Sequence, residues 1–342
     1  MSRQAVLAGL GGWLPPKVVD NHELAERIDT TDEWIRSRTG IGERRALEPG
    51  TATVDMAIAA GRRALISASM DPTAPGSDGQ TVDAVVLATA TPDQQCPASA
   101  PQVASGLGLG TVAAFDVNAV CTGFVYALAT GSGLISAGVA KRVLVIGADA
   151  FTTLVNPADR ATVPIFGDGA GAMVLRSGDG GETGAVGPFD LHSDGELAEL
   201  LIVPAGGSKQ RSSDNADDHY LTMHGPAVFR QASARMSESA RVVLDRAGLT
   251  VSDIDRFVGH QANIRILNAV AKQLGLATDS LVVNIDKVGN TSAASIPLAL
   301  VDACTDETVL PGDRVLLSAF GAGLSWGSTL LRWPNLAVAP LE

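Results

Sequence analysis

The stretch AFDVNAVCTGFVYAL (114–128) decides the fold, because it joins a strand pattern to the first turns of an uncharged helix. The strand is predicted over 113–117, and no charged residue occurs from 117 to 140. An uncharged segment of that length can span a bilayer, but this one carries Asn, Cys, Thr and Ser side chains and four glycines. We therefore interpret it as a helix buried inside a protein core, with no membrane contact and with Cys121 at its start.

Strand and helix patterns alternate on both sides of this stretch, and they repeat. Further strands are predicted at residues 5–10, 82–87, 142–146, 254–258, 281–285 and 314–317. Asp83 and Asp255 each precede a strand and Arg142 and Arg314 each open one, and the separations 255 − 83 and 314 − 142 both equal 172. Runs of Val, Leu and Ile separated by helices are typical of sheets covered on both faces. The sequence thus predicts an α/β protein with two similar halves.

The overall composition excludes several classes of protein. Of the 342 residues, 46% are hydrophobic and 18% are charged, which suits a large folded core. The cysteines, Cys96, Cys121 and Cys304, are few and widely spaced. This spacing argues against a disulfide framework or a CxxC metal site and fits a reducing, cytoplasmic compartment. The net charge of −12 disfavours nucleic acid as a partner, so an acidic protein partner would need a local basic patch.

Three polar residues follow predicted strands and are candidates for catalysis. Cys121 opens the uncharged helix, where the positive end of the helix dipole is expected to lower the pKa of its thiol. His260 follows the 254–258 strand and Asn290 follows the 281–285 strand, which are positions where α/β sheets place their sites. Taken alone, a buried Cys, a packed His or a turn-capping Asn has a structural explanation. Taken together, the three residues point to one site.

Segments from nearly the whole chain resemble the β-ketoacyl-acyl carrier protein synthase III family of the thiolase superfamily. They are DTTDEWIRSRTGI (29–41), AFDVNAVCTGFVYAL (114–128), NPADRATVPIFGDGAGA (156–172), GHQANIRI (259–266), GNTSAASIPLAL (289–300) and AFGAGLSWG (319–327). The resemblance implies a thiolase-like α/β fold, in which two similar halves with mixed five-stranded sheets form five α/β/α/β/α layers. The N-terminal half, 1–177, would carry the nucleophilic Cys, and the C-terminal half, 178–342, would carry the His and Asn.

The resemblance also implies a decarboxylative Claisen condensation that initiates fatty acid or polyketide chains. Cys121 would take an acyl group from acyl-coenzyme A, and malonyl-acyl carrier protein would then lose CO₂ and attack the acyl-enzyme to give a 3-ketoacyl carrier. The backbone N–H groups of Cys121 and Ala322 would form the oxyanion hole. A neutral His260 and the amide of Asn290 would both donate to the enolate oxygen, a task in which neither changes charge.

The matched segments also imply which residues of this chain bind coenzyme A and the carrier protein. Trp34, Arg38, Arg160 and Asn263 match the family's coenzyme A site, with Trp34 stacking on adenine and the arginines facing phosphates. Arg265 matches a basic residue that docks the acyl carrier protein. Further candidates for attracting that acidic partner are Arg36, Arg44, Arg45 and Lys272.

The acyl pocket contains the main departure from the family pattern. Phe166 and Cys96 match pocket positions, and Cys96 stands where some relatives have a Phe that the partner subunit of a homodimer contributes. Because Cys is much smaller than Phe, we expect the enzyme to accept primers longer or more branched than acetyl. The resemblance implies a homodimer, with coenzyme A thioesters as substrates and neither a metal nor a redox cofactor.

Several alternatives share parts of this pattern. An acyltransferase on the same fold would load Cys121 and pass the acyl group to another acceptor without decarboxylation. A polyketide-priming synthase would use the same chemistry in another pathway, whereas a non-catalytic partner subunit would lack the nucleophile. A hydroxymethylglutaryl-coenzyme A synthase would need a catalytic Glu upstream, for which Glu33 and Glu43 are the nearest candidates. The presence of Cys121, His260 and Asn290 together favours condensation.

Overall fold

The computed structural model describes residues 3–71 and 81–341, which form two main sheets with helices between and outside them. The strands are β1 (Gln4–Trp13), β2 (Val18–Asp20), β3 (Glu43–Arg45), β4 (Ala84–Ala88), β5 (Ala113–Val117), β6 (Arg142–Asp149), β7 (Gly169–Gly178), β8 (Val186–Ser193), β9 (Leu201–Ile202), β10 (Thr222–Met223), β11 (Arg256–Gly259), β12 (Arg314–Gly321) and β13 (Ser325–Arg332). The helices are α1 (Asn21–Ala25), α2 (Asp32–Thr39), α3 (Thr53–Ser67), α4 (Ala100–Gly106), α5 (Gly123–Ser136), α6 (Gly225–Ala247), α7 (Ile264–Leu274), α8 (Ile285–Val288) and α9 (Ser295–Thr305).

The first main sheet has the strand order β1-β7-β6-β4-β5. Strands β6, β4 and β5 run parallel, and β7 and β1 are antiparallel to their neighbours, so the sheet is mixed as expected. The second main sheet has the order β11-β12-β13-β8, with β11 and β12 parallel and the other pairings antiparallel. The last strand of the first sheet ends at Gly178, and the first strand of the second sheet begins at Val186. The predicted division of the chain into halves 1–177 and 178–342 therefore falls close to the change from one sheet to the other, and it stays a prediction.

The 172-residue repeat predicted from the sequence is confirmed in the strand register. Ala84 pairs with Val143 in the first sheet, and Arg256 pairs with Val315 in the second, so that 256 − 84 and 315 − 143 both equal 172. The aspartates that precede the strands also make equivalent hydrogen bonds in the two halves. Asp83 accepts hydrogen bonds from the N–H groups that open β6, and Asp255 accepts one from the first N–H of β12.

The strand predicted over 281–285 is wrong. Only Leu281 pairs with the sheet, through a single bridge to Phe257, and Ile285 already begins helix α8. The side chain of the buried Gln261 takes the place of a neighbouring strand, because its amide donates to the Val282 carbonyl and accepts from the Asn284 N–H. The second sheet therefore has four strands and one bridge where five strands were expected.

The five layers follow from which helices contact which sheet. Helices α5 and α9 lie between the two sheets, α3 and α4 cover the outside of the first, and α6 and α7 cover the outside of the second. This arrangement confirms the thiolase-like α/β/α/β/α architecture. It brings the ends of β5 and β11 and the start of α9 to one central region, where the candidate catalytic residues lie.

The uncharged segment 117–140 forms a helix that is internal over its first turns, as predicted, whereas its C-terminal end, with Gly133 and residues 136–139, is exposed. Its helical part, α5, is 14 residues long and packs against both sheets, with Phe124, Val125 and Leu128 no more than 1% exposed. Within the part of the chain that the structure describes, no helix combines the length and apolar character needed to cross a membrane.

Candidate active site

Cys121 lies between strand β5 and helix α5, beyond the carboxyl end of the first sheet. It sits in a 3-10 turn, Val120–Thr122, in which Val120 has a φ of +46°. A left-handed backbone is unfavourable for a β-branched residue, and such local strain clusters at functional sites. The Cys121 side chain is 6% exposed, and it lines a cavity described below.

The expectation that the helix dipole would lower the pKa of Cys121 is wrong for the free protein. Burial raises the pKa of this thiol to about 12, and the carboxyl group of Asp149 also raises it, whereas the hydroxyl of Ser292 lowers it. Desolvation penalises the charged thiolate more than the start of α5 stabilises it. In the free protein Cys121 is therefore protonated at neutral pH.

This raised pKa gives the first testable prediction. Alkylation of Cys121 by iodoacetamide requires the thiolate, so its rate should rise about tenfold per pH unit from pH 7 to pH 10, without reaching a plateau. Peptide mapping by mass spectrometry separates Cys121 from Cys96 and Cys304. A plateau near pH 7 would show instead that the dipole outweighs burial.

His260 follows β11, and its imidazole ring is hydrogen-bonded at one of its two nitrogens. Its backbone N–H donates to the Ser318 carbonyl of β12 at 2.8 Å, which fixes the residue beyond the end of the strand. The Nδ1 atom lies 2.6 Å from the Ser295 hydroxyl, and the residue is 2% exposed. Burial lowers the pKa of His260 to about 3, so the imidazole is neutral at physiological pH.

Asn290 is fixed by three hydrogen bonds. Its N–H donates to the Ile165 carbonyl at 2.8 Å, and its carbonyl accepts from the Gly167 N–H at 3.0 Å. Its side-chain Oδ1 accepts from the Ser292 N–H at 2.9 Å. The last bond uses the amide oxygen, which leaves the NH₂ group as the free end of this cavity-lining side chain.

The Gly321-Ala322-Gly323 turn lies against the backbone of Cys121. A Cβ atom at Gly321 would lie 3.0 Å from the backbone nitrogens of both Cys121 and Thr122, so only glycine allows this approach. Within the described ranges, neither the Cys121 N–H nor the Ala322 N–H donates a hydrogen bond to another residue. These two free donors are the ones expected to form the oxyanion hole.

Cys121, His260 and Asn290 line one cavity of about 750 Å³. Its apolar walls include Phe151, Phe166, Leu201, Met223, Val228 and Phe320. Among the residues that the structure describes, three arginines line this cavity, Arg38, Arg230 and Arg265, and no Asp or Glu does. An otherwise acidic chain thus presents a cationic opening, which suits anionic substrates.

Trp34 marks the outer end of the cavity, and two arginines stack on it. The guanidinium carbons of Arg38 and Arg160 lie 4.5 and 4.6 Å from the ring centroid. Arg160 also contacts the fully exposed Asp29 at 3.5 Å. The three residues expected to hold the nucleotide of coenzyme A are therefore neighbours, although the sequence separates Arg160 from the others by more than a hundred positions.

Asn263 joins this end of the cavity to helix α7. Its side-chain amide donates to the Arg38 carbonyl at 3.0 Å, and its Oδ1 caps α7 by accepting from the Arg265 N–H at 2.8 Å. Arg265 consequently projects from the first turn of α7 beside the cavity opening.

Comparisons with known proteins agree with this geometry. The profile for 3-Oxoacyl-[acyl-carrier-protein (ACP)] synthase III matches residues 115–195, and the profile for the C-terminal part of that family matches residues 244–333. The β-ketoacyl-[acyl-carrier-protein] synthase III 3 of Streptomyces coelicolor is 54% identical over 344 residues, which cover 100% of both chains. The chain belongs to the β-ketoacyl-acyl carrier protein synthase III family.

Solved structures of synthase III enzymes support the same assignment. The crystal structure of 3-oxoacyl-(acyl carrier protein) synthase III from Pseudomonas aeruginosa PAO1 is 48% identical, with a TM-score of 0.90 over 98% of this chain and 100% of that one. The priming β-ketosynthase of the R1128 polyketide biosynthetic pathway is 35% identical, with a TM-score of 0.89 over 98% of each chain. The protein is therefore an acyltransferase-class enzyme of the synthase III type with a thiolase-like fold.

One of the cations proposed to attract the carrier protein cannot do so in this synthase. Arg44 is 2% exposed, and its guanidinium donates to the carbonyls of Val19 and Pro164 and to the side chain of Asn21. Burial lowers its pKa to about 10. Its surroundings show that it ties the antiparallel pair β2–β3 to the loop before Phe166, so its role is structural.

The acyl-pocket residues are only partly brought together in this single chain. Phe166 lines the cavity and stacks on Phe151 with ring centroids 4.4 Å apart. Cys96 is exposed and does not line the cavity of its own chain. Its assignment to the pocket of a partner subunit stays a prediction.

Four residues of the site were missed by the sequence reasoning: Phe151, Arg230, Asp149 and Ser295. Phe151 and Arg230 line the cavity, and Ser295 contacts His260. Asp149 is fully buried and accepts hydrogen bonds from Ala90, Thr91 and Ala293, which ties the loop after β4 to the turn that follows Asn290. Only Ser295 gave a signal, because it lies inside a matched segment.

One of the alternatives loses support in the same cavity. Neither Glu33 nor Glu43 lines it, so no carboxylate is placed as a hydroxymethylglutaryl-coenzyme A synthase would need. Across residues 3–71 and 81–341, no group of three or more His, Cys, Asp or Glu side chains is arranged to hold a metal ion.

Proposed function

We propose that this synthase joins an acyl group from acyl-coenzyme A to malonyl-acyl carrier protein, with loss of CO₂, to give a 3-ketoacyl carrier. The observation that carries the proposal is the cavity in which a thiol, a neutral imidazole and a primary amide meet without a carboxylate. A hydrolase needs a base to activate water, and a Cys-His-Asn set can supply one when its imidazole is basic. Here burial lowers the pKa of His260 to about 3, so the imidazole is a poor base and acts as an uncharged donor beside Asn290. Nothing in the cavity favours an acyltransferase that lacks the decarboxylation step.

The first half-reaction transfers the acyl group to Cys121. The sulfur attacks the thioester carbonyl, the oxyanion accepts hydrogen bonds from the N–H groups of Cys121 and Ala322, and coenzyme A leaves with the thiol proton. His260 does not act as the base, because its neutral ring has a pKa of about 3. Negative charge therefore develops only during attack, where the two N–H groups and the start of α5 stabilise it.

The second half-reaction uses His260 and Asn290 as donors. The malonyl group loses CO₂, and the electron pair left behind forms an enolate whose oxygen accepts hydrogen bonds from both side chains. The enolate carbon then attacks the acyl-Cys121 carbonyl, and collapse of the adduct releases the Cys121 thiolate, which takes up a proton. Fixed donors that need not change charge stabilise this enolate without reorganisation.

The outer end of the cavity is proposed to hold coenzyme A and then the carrier. Adenine would stack on Trp34, where Arg160 and Arg38 now lie, and the guanidinium groups would then face the phosphates. Asn263 would position Arg38 through its hydrogen bond to the Arg38 carbonyl. Arg265, joined by Arg230 on the same opening, would contact the acidic carrier protein.

A homodimer is proposed from the exposed edge of the first sheet. Strand β5 lies at that edge, and its residues are exposed or only half-buried, including Phe115 and Val117. An uncovered apolar edge strand is a ready surface for pairing with a second chain. Light scattering should then give about twice the 35.0 kDa mass of the chain, and a monomer would contradict both the dimer and the role of Cys96. The cytoplasmic location is likewise a proposal, supported by the intracellular thioesters that the reaction uses.

The decisive experiment follows the mass of the intact protein. The enzyme is mixed with acetyl-, isobutyryl- or hexanoyl-coenzyme A and then with malonyl-acyl carrier protein. We expect a mass gain for the longer and branched primers as well as for acetyl, followed by CO₂ release, loss of the gain and a 3-ketoacyl carrier. A gain that malonyl carrier cannot discharge would favour the acyltransferase alternative, and loading by acetyl alone would contradict the pocket role of Cys96.

A further inference from the structure

Ser295 makes the shortest hydrogen bond to the catalytic imidazole. Its hydroxyl lies 2.6 Å from Nδ1 of His260, and both residues are almost completely buried, at 1% and 2% exposed. No hydrogen bond is found for the other ring nitrogen, Nε2, within the described residues, and His260 lines the cavity. The ring is thus held at one nitrogen and free at the other.

The proton positions follow from counting donors and acceptors. Besides His260, the only described partner of the Ser295 oxygen is the Gln261 N–H at 3.4 Å, from which the oxygen accepts. The Ser295 proton therefore has one acceptor, Nδ1, because a buried hydroxyl that does not donate would lose a hydrogen bond. A neutral imidazole that accepts at Nδ1 carries its single proton at Nε2.

We propose that Ser295 is a positioning residue that fixes His260 as the Nε2–H tautomer, with the donor nitrogen free for the enolate oxygen. The inference rests on the proposed condensation, in which His260 must donate. The opposite tautomer would point a lone pair at the enolate oxygen and repel it. Ser295 therefore matters for decarboxylation and condensation and not for the loading of Cys121.

The surroundings of Ser295 explain how it can hold one orientation. It is the first residue of α9, directly after the 3-10 turn Ser292–Ala294, and that turn is tied to Asp149 through the Ala293 N–H at 3.0 Å. The same segment carries Asn290, whose Oδ1 accepts from the turn. One rigid segment thus supplies the amide donor and sets the tautomer of the imidazole donor.

The test compares Ser295→Ala and Ser295→Thr with a matched control, Ser239→Ala. Ser239 is another serine at 1% exposed, and the one partner of its hydroxyl among the described residues is the Asp190 carbonyl. We expect Ser295→Ala to load acyl groups within about twofold of the wild type and to lose condensation by about 10–100-fold, the scale seen when the partner that orients a metal-binding histidine is removed. Ser295→Thr keeps the hydroxyl and should recover most of the rate, and Ser239→Ala should leave both steps unchanged.

A spectroscopic measurement separates tautomer control from a structural role. In ¹⁵N-histidine-labelled enzyme, whose chain has five His, the His260 signals are identified by their absence in His260→Gln. We expect Nδ1 of the wild type to show the shift of an unprotonated nitrogen and Nε2 that of a protonated one, with the pattern altered in Ser295→Ala. A protonated Nδ1 in the wild type, or an equal loss of loading and condensation in Ser295→Ala, would overturn the proposal. Failure of the wild type to condense at all would instead count against the proposed function, while leaving the tautomer measurable.

Discussion

Replacing Cys121 by alanine should abolish acyl transfer from acyl-coenzyme A, with a loss on the order of 10⁴-fold or more, because Cys121 is the only cysteine among the described residues that lines the cavity. The same variant should still convert malonyl-acyl carrier protein to acetyl-acyl carrier protein and CO₂. His260 and Asn290 are held by β12, Ser295, the 165–167 loop and the Ser292 N–H, and none of these hydrogen bonds is made by the Cys121 side chain. The two donors therefore remain in place when the thiol is removed.

Intact mass measures the loading, and the acetyl carrier formed from malonyl carrier measures the decarboxylation. Cys304→Ala is a suitable control, because Cys304 is only partly buried and lies away from the cavity lining. It should load and condense normally. A mass gain that survives in Cys121→Ala would mean that the nucleophile is another residue, and a simultaneous loss of decarboxylation would mean that the donors depend on Cys121.

Asn290→Asp should separate the two half-reactions in the opposite sense. The aspartate keeps an oxygen to accept from the Ser292 N–H, but it replaces the NH₂ donor by a second oxygen. We expect condensation to fall by about 10²–10³-fold, the usual cost of losing one oxyanion donor. Loading of Cys121 should change little, because the oxyanion of that step is stabilised by backbone N–H groups.

Single-turnover mass spectrometry follows loading in this variant, and release of CO₂ from carboxyl-labelled malonyl carrier follows condensation. Asn215→Asp makes the same chemical change on an exposed loop and should leave the rates of loading and condensation unchanged. If Asn290→Asp impaired both steps equally, the substitution would be acting through the Ser292 turn, whose hydroxyl also interacts with the Cys121 thiol, and the assignment of Asn290 to the enolate would be wrong.

Much of the fold was predictable because the repeat is carried by local features. An aspartate before a strand and an arginine at the start of the next recur 172 residues apart, and the strands that they mark pair in the same register. The 281–285 segment failed because its pattern of Val and Ile is also that of a strand, while the group that replaces the strand is a side chain. No local rule reveals that Gln261 would bond to Val282 and Asn284.

The candidate site likewise has features that the sequence predicts and features that it does not. Cys121, His260 and Asn290 were predictable from strand ends and family motifs, and the structure places them in one cavity. The state of the thiol was not predictable, because it depends on how much protein surrounds Cys121 rather than on its place in a helix. Arg44 shows the same limit, since nothing near it in sequence indicates that its charge is buried.

The stack of Arg160 and Arg38 on Trp34 has a consequence for turnover. Two different thioesters must use the same channel in succession, and only the first carries an adenine. On the proposed assignment, the nucleotide enters by displacing a guanidinium that already satisfies the indole face, so the net gain from stacking is the difference between two similar contacts. On the same assignment, we expect Arg160 to return to the indole when spent coenzyme A departs. This exchange would shorten the residence time of the first product and vacate the channel for the carrier.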